Sequence, residues 1–294
     1  MLRALTIFVA SVLLAAPLPP DPGSILHADR ASAGDLEVGG ELAGVPAGAT
    51  RYIRYEELLR LPQETYTVSD DTNFKGKTEI SGVALTTLAR LLGQAPGDAQ
   101  IVAICYDHYR TNYPKAYLAA HRPLLVLRVN GQLRDYWPPS EHGGSLGPFL
   151  ISHPFFKPAF KILSHEDEPQ IPYGVTRIEV RRESVVFGAI KPAEEWRDNR
   201  QVQQGFIIAR QDCFRCHNMG AEGGTMGGHS WLELARMADL NALRFRKIIH
   251  DPASVKPDAQ MPAHGDYDKA TLEALTAYFR TFHQAASRQP ERKP

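Results

Sequence analysis

Cys213-Phe214-Arg215-Cys216-His217 is the stretch that decides the second half of the chain. Two thiols three residues apart can each add across one vinyl group of a haem, leaving two thioether bonds. The adjacent histidine is then held beneath the iron with a ring nitrogen free to coordinate it. A structural zinc site wants four ligands, usually two Cys/His pairs, and no second pair exists, since the remaining cysteine, Cys105, stands alone. A thioredoxin-like dithiol expects a βαβ setting, whereas Gln201 to Gln211, directly ahead, reads as a helix. The pattern points to Cys213, Cys216 and His217 as a covalent attachment site for one haem.

A haem iron with one histidine needs a sixth ligand or an open face. Met261 stands in Val255-Lys-Pro-Asp-Ala-Gln-Met-Pro262, a proline-rich polar loop and a poor place for a methionine that only fills core. A thioether favours Fe(II), so His217/Met261 ligation raises the potential and suits electron transfer. His264 is the rival in the same loop. Met219, Met226, Met237, His229 and His250 are further competitors, although Met219 is too close to His217 to reach the other haem face. The surrounding segments read as helices: Trp231 to Met237, Leu240 to Ile249 and Asp268 to Phe282. Asp268 is the expected N-cap of the last, and Leu272, Leu275 and Phe279 form its apolar stripe.

Residues 201–285 resemble a class I cytochrome c domain. Gly205, eight residues before Cys213, matches the glycine at which that family's first helix packs against its last. Leu275, Tyr278 and Phe279 match the last helix, and Ile249-His250-Asp251-Pro252 followed by Met261-Pro262 matches the run-in to the methionine loop. The resemblance implies an all-α domain, one haem c on His217 and Met261, and redox proteins as donor and acceptor. One departure stands out. Gly227-Gly228-His229 occupies the place of the family's Gly-Pro, whose carbonyl accepts from the axial histidine, so that partner is left unassigned.

Residues 51–190 carry short apolar runs between turn signals and predict an α+β domain. Gln100 to Tyr106 reads as a buried strand. Asn130-Gly131 sits between two strand-like runs and marks a hairpin. Ala84 to Leu92 reads as a helix stopped by Gly93, and Tyr173 to Phe187 as one or two strands. Ile80 to Gly93, Ala103 to Arg110, Leu127 to Gly131 and Glu141 to Pro154 are similar to segments of the sulfite oxidase-type molybdopterin-binding fold. Catalytic members of that family bind molybdenum through a cysteine shortly before the first of these segments. The corresponding stretch here, Tyr66 to Gly76, has none, and Ser69 or Asp70 is no substitute for a thiolate at a soft site. The expectation is a molybdopterin-type fold without molybdenum. Cys105 is expected as a small buried hydrophobe. His108, Tyr109, Arg110 and His142 are expected as surface or strand-end residues, with a pocket lining as the other reading.

The chain has 294 residues, 43% hydrophobic and 22% charged, which suits about two globular domains. Its 33 Lys+Arg balance 33 Asp+Glu, so the basic surplus of a nucleic-acid binder is missing. Residues 1–22 open with Arg3 and an uncharged run from Ala4 to Ala16 before several prolines. That suits a signal peptide or an N-terminal anchor, falls short of the ~20 apolar residues of a membrane span, and predicts export to a periplasm. Any membrane tether would lie in this segment. Residues 23–50 read as a linker, 191–200 as a second short linker and 286–294 as a polar tail. Three functions follow: an exported electron-transfer protein whose first domain docks or supports; a molybdenum-dependent oxidoreductase feeding electrons to its own haem; or a haem-based sensor with a labile sixth site.

Overall fold

The computed structural model describes residues 25–93, 97–141 and 143–288. The expected signal segment, His142 and the end of the polar tail lie outside them. The first half is mixed α+β, built on a ten-stranded sheet. Its strands are β1 (Leu36–Gly40), β2 (Arg51–Ile53), β3 (Glu64–Val68), β4 (Thr78–Ala84), β5 (Ala99–Cys105), β6 (Arg110–Tyr113), β7 (Leu124–Val129), β8 (Gln132–Leu133), β9 (Phe149–Ser152) and β12 (Tyr173–Arg182). The main path runs β2-β1-β12-β9-β7-β4-β3, with β5 paired to β12 and β6, and β8 to β7. The short helices α1 (Tyr55–Leu58), α2 (Leu85–Leu91) and α3 (Lys115–His121) connect strands, and β10 (Lys161–Ile162) pairs β11 (His165–Glu166) outside the sheet.

The hub is β12, ten residues long. It pairs antiparallel with β9 through Tyr173 and Val175, antiparallel with β5 from Val175 to Arg182, and parallel with β1 from Arg177 to Val180. The expected linker at 23–50 is therefore corrected: Leu36 and Val38 of β1 are fully buried in the sheet's core. Its pairing partner lies some 140 residues away, so no local pattern announces it. The hairpin is as read, with Asn130 and Gly131 both at positive φ between β7 and β8.

The second half is mainly helical: α5 (Arg200–Gln211), α6 (Trp231–Leu240), α7 (Ala242–His250) and α8 (Lys269–Arg288), preceded by the one-turn α4 (Glu183–Val186). A two-residue ladder, β13 (Asn218–Met219) with β14 (Glu222–Gly223), departs from the all-α expectation. The caps follow the sequence: Asn199, Ser230, Asn241 and Asp268 each accept from an early backbone N–H of α5, α6, α7 and α8. Gly205 lets α5 and α8 touch, since a methyl there would overlap the Ala274 carbonyl and lie 2.7 Å from Cβ of Tyr278.

The halves share a core rather than a hinge. Along β5, Ile101, Ala103 and Cys105 face the sheet's own core, while Val102 and Ile104 face the helices. This period-2 split explains the unbroken apolar run: the strand is covered on both faces. Val186, Phe187 and Ile190 belong to the helical core, and Tyr278 Oη donates to the Ile190 carbonyl at 2.6 Å. The expected linker at 191–200 instead holds a 3₁₀ turn (Glu194–Trp196) and the α5 cap, with Trp196 packed against that core. No helix among the described residues is long and apolar enough to cross a membrane.

Candidate haem-attachment site

The end of α5 runs through Asp212 into a 3₁₀ turn, Cys213–Arg215. The Cys213 carbonyl accepts from Cys216 N at 3.2 Å and His217 N at 2.9 Å, closing the turn that carries both thiols. Phe214 anchors it from below, fully buried with its ring 5.3 Å from Trp231 and 6.3 Å from Phe187. Cys213 and Cys216 are both free thiols. Burial pushes both above the ordinary range, Cys216 to about 11.

His217 Nδ1 lies 2.6 Å from the His229 carbonyl oxygen. A carbonyl only accepts, so Nδ1 carries the proton and Nε2 holds a lone pair. Nε2 makes no hydrogen bond among the described residues, and burial lowers the pKa of the ring. The partner that the sequence left unassigned is thus the backbone of the Gly227-Gly228-His229 segment. Gly227 is what brings it close: its N–H donates to the Cys216 carbonyl at 2.8 Å, and a Cβ there would stand 2.7 Å from His217 Cε1. Two free thiols on one turn, beside an imidazole with its proton fixed on the far nitrogen, match the donor set a haem c requires.

Met261 is half-buried and, like Cys213, packs against the core that contains Phe214. His264 lies on Tyr267, ring centroids 4.6 Å apart, and its backbone N–H donates to the Ile249 carbonyl. Met219 and Met237 pack against the same core, and Met226 is exposed.

The sheet half grips the attachment segment along its length. Arg110 donates to the carbonyls of Ala221 and Gly223 at 3.0 and 3.2 Å, and sits 3.7 Å from both Glu179 and Glu222. Arg181 pairs with the same two carboxylates. Arg215 donates to Tyr109 Oη at 3.3 Å, and Thr225 N to the His108 carbonyl. Tyr109 and Arg110 are therefore interface residues, not surface residues.

A second contact joins His165 to Asp212 at 3.1 Å, with Gln211 and Tyr267 on the two ring nitrogens. His165, Glu168 and Asp212 bring potential metal-ligand atoms within 4.8 Å of one another. Arg215 already lies 3.3 Å from Asp212 and 3.8 Å from Glu168, so this cluster holds a cation of its own. Burial, with Asp212 beside it, pushes Glu168 up to about 7.

The sheet half offers no thiolate for molybdenum. Between Tyr66 and Gly76, Asp70 accepts from Phe156 N, and Asp71 is buried and accepts from Ser152 Oγ and Asn73 N. Cys105 is 3% exposed within β5, its thiol pushed up by burial. These residues do not fit a thiolate-bound molybdenum.

No family model matches the chain, and no curated protein matches it. Among solved structures, the chain is similar to the sulfane dehydrogenase SoxCD of Paracoccus pantotrophus at 17% identity, over 52% of this chain, with a TM-score of 0.35. The match spans 40% of that chain. A likeness this distant carries no argument about fold or activity.

Proposed function

We propose that the chain is an exported electron-transfer protein carrying one covalently bound haem c, which Cys213 and Cys216 would hold by thioether bonds and His217 and Met261 would ligate at the iron, and resembling class I cytochromes c in its helical half. The observation that carries this reading is the unpaired Nε2 of His217 beside two free thiols on one turn. When bound, the haem would supply a one-electron Fe(II)/Fe(III) couple. The protein's own residues do the rest. Cys213 and Cys216 would hold the haem by adding S–H across its two vinyl groups, an addition with no leaving group. The His229 carbonyl holds the proton on Nδ1 and raises ligand basicity. Phe214, within the turn, and Trp231 against it are fully buried and back that side of the turn with apolar surface.

The test is maturation in a host that attaches haem c, followed by intact mass and visible spectra. The reading expects the mass of one haem, lost in Cys213→Ser/Cys216→Ser. It also expects loss of the sulfur-to-iron charge-transfer band in Met261→Ala but not in His264→Ala. A bare polypeptide with both thiols free would overturn it.

One observation favours a second reading, a fused oxidoreductase: the sheet half lies directly on the attachment segment through His108, Tyr109 and Arg110, a placement suited to intramolecular electron transfer. The missing thiolate counts against molybdenum as its source. Stoichiometric molybdenum in purified protein would favour this reading, and its absence from a host that makes the cofactor would remove it.

A further inference from the structure

A cleft of about 220 Å³ lies where α3 and the 159–170 segment of the sheet half meet α4 and the end of α5. That volume is below the roughly 300 Å³ at which pockets for drug-sized molecules begin, so its occupant is small. Arg210, on α5, lines it. The guanidinium is flanked by Phe187 at 5.4 Å and Phe206 at 5.8 Å from the ring centroids. Phe206 is one helical turn before Arg210, so the side chain is held by its own helix and by the segment after α4.

Arg210 makes no hydrogen bond and no ion pair among the described residues. Arginine offers five N–H donors, and a half-buried one normally meets a carboxylate. Burial lowers its pKa, and the Glu183 and Asp167 carboxylates offset that only in part, from beyond ion-pair distance. The two carboxylates that line the cleft do not reach it. Asp167 is engaged elsewhere, 2.8 Å from His121 Nε2 and 3.2 Å from Ala159 N. The Glu183 carboxylate has no hydrogen bond or ion pair of its own among the described residues. The cleft therefore presents a cation and an anion that feel each other's charge but make no direct contact, with Tyr117, Phe160 and Phe187 as apolar wall between polar ends.

We propose that this cleft binds a small carboxylate that also carries a hydrogen-bond donor, an amino or hydroxy acid, with its carboxylate on Arg210 and its donor facing Glu183. A dianion is disfavoured, because its second charge would meet Glu183 and Asp167. An apolar acid gains Arg210 but leaves Glu183 unmatched. The site is independent of the haem reading, since none of the residues that recognise the ligand is in the attachment turn.

Calorimetry on the full chain, with L-alanine, L-lactate, propionate and succinate as probes, tests it. L-alanine and L-lactate should bind, and the stronger of the two says whether the donor is an ammonium or a hydroxyl. Propionate should bind more weakly and succinate most weakly. Arg210→Gln should cost at least tenfold in affinity for every probe that binds, and Arg210→Lys less. Glu183→Gln should weaken alanine and lactate towards propionate, and leave propionate unchanged or improved. Thermal melts of each variant separate lost binding from lost folding; if Arg210→Gln does not fold, the Lys and Glu183 variants decide. Failure of all four probes to bind at millimolar concentration, or affinity unchanged in Arg210→Gln, would overturn the proposal.

Discussion

His217 Nδ1 is 2.6 Å from the carbonyl oxygen of His229. That single contact selects the tautomer, orients the ring and leaves Nε2 as the nitrogen available to a metal. It depends on a backbone pressed against an imidazole, which only glycine at position 227 permits.

Gly227→Ala should displace the ring, because a Cβ would stand 2.7 Å from Cε1 and 2.9 Å from the Cys216 carbonyl. In the haem-bound protein that we propose, the expected result is a weaker bond from His217 to the iron, read as a higher midpoint potential or a high-spin fraction in the visible spectrum. Gly228→Ala is the control, because a Cβ there meets nothing within 4 Å. Equal spectra for the two variants would show that the close approach is not what sets the ligand.

Gly205→Ala tests the α5–α8 crossing. The added methyl would overlap the Ala274 carbonyl, and backbone gives way less readily than a side chain. Overpacking of this kind costs about 1–3 kcal/mol. Urea unfolding should show a lower midpoint with an unchanged slope; a wild-type midpoint would mean the helices can part at no cost.

Much of this was legible in the sequence because it is local. The Asn130-Gly131 turn and the Asp268 cap each rest on chemistry within a few residues. Gly205 and buried Cys105 also read correctly, the latter from its apolar neighbours. What the sequence hid is non-local. The β1 strand lies in a Gly- and Ala-rich stretch and exists because β12 offers it a parallel edge. The His229 partner of His217 is a carbonyl, which no side-chain pattern encodes. Arg110 is the strand-end residue that the sequence reads, at the start of β6, but its ion-pair role depends on Glu222, more than a hundred positions on.

Arg110→Met tests the junction. The Arg110 side chain is 11% exposed, and those of Glu179 and Glu222 are 12% and 10%. Removing one partner of a buried ion pair costs about 3–5 kcal/mol. The lower end is expected, since Arg181 still pairs with both carboxylates. The carbonyls of Ala221 and Gly223 also lose their donor, so the two halves should unfold in separate steps by calorimetry. A single transition at the wild-type temperature would show that the shared apolar core alone joins them.

The acid limb of the stability curve should belong largely to His153. Its Nε2 lies 2.7 Å from Tyr117 Oη, which itself accepts from Gln170 N. Nδ1 is buried and has no hydrogen-bond partner among the described residues. Burial, with His121 nearby, pulls the ring down to about 3 from an ordinary 6.5. Between those values the unfolded chain binds a proton that the native one refuses, so stability falls with acid by about 1.4 kcal/mol per pH unit, or about 2 kcal/mol from pH 7 to pH 5. His165, His217 and His264 are lowered by burial and act in the same direction. Glu168 opposes them: raised to about 7, it binds a proton in the native state first, and its contribution is lost as pH climbs from 4.5 through 7. His153→Gln should flatten the loss between pH 7 and 5, while Glu168→Gln should steepen it. Urea unfolding at pH 5, 6 and 7 reads both slopes, and a His153→Gln slope equal to that of the wild type would place the acid sensitivity elsewhere.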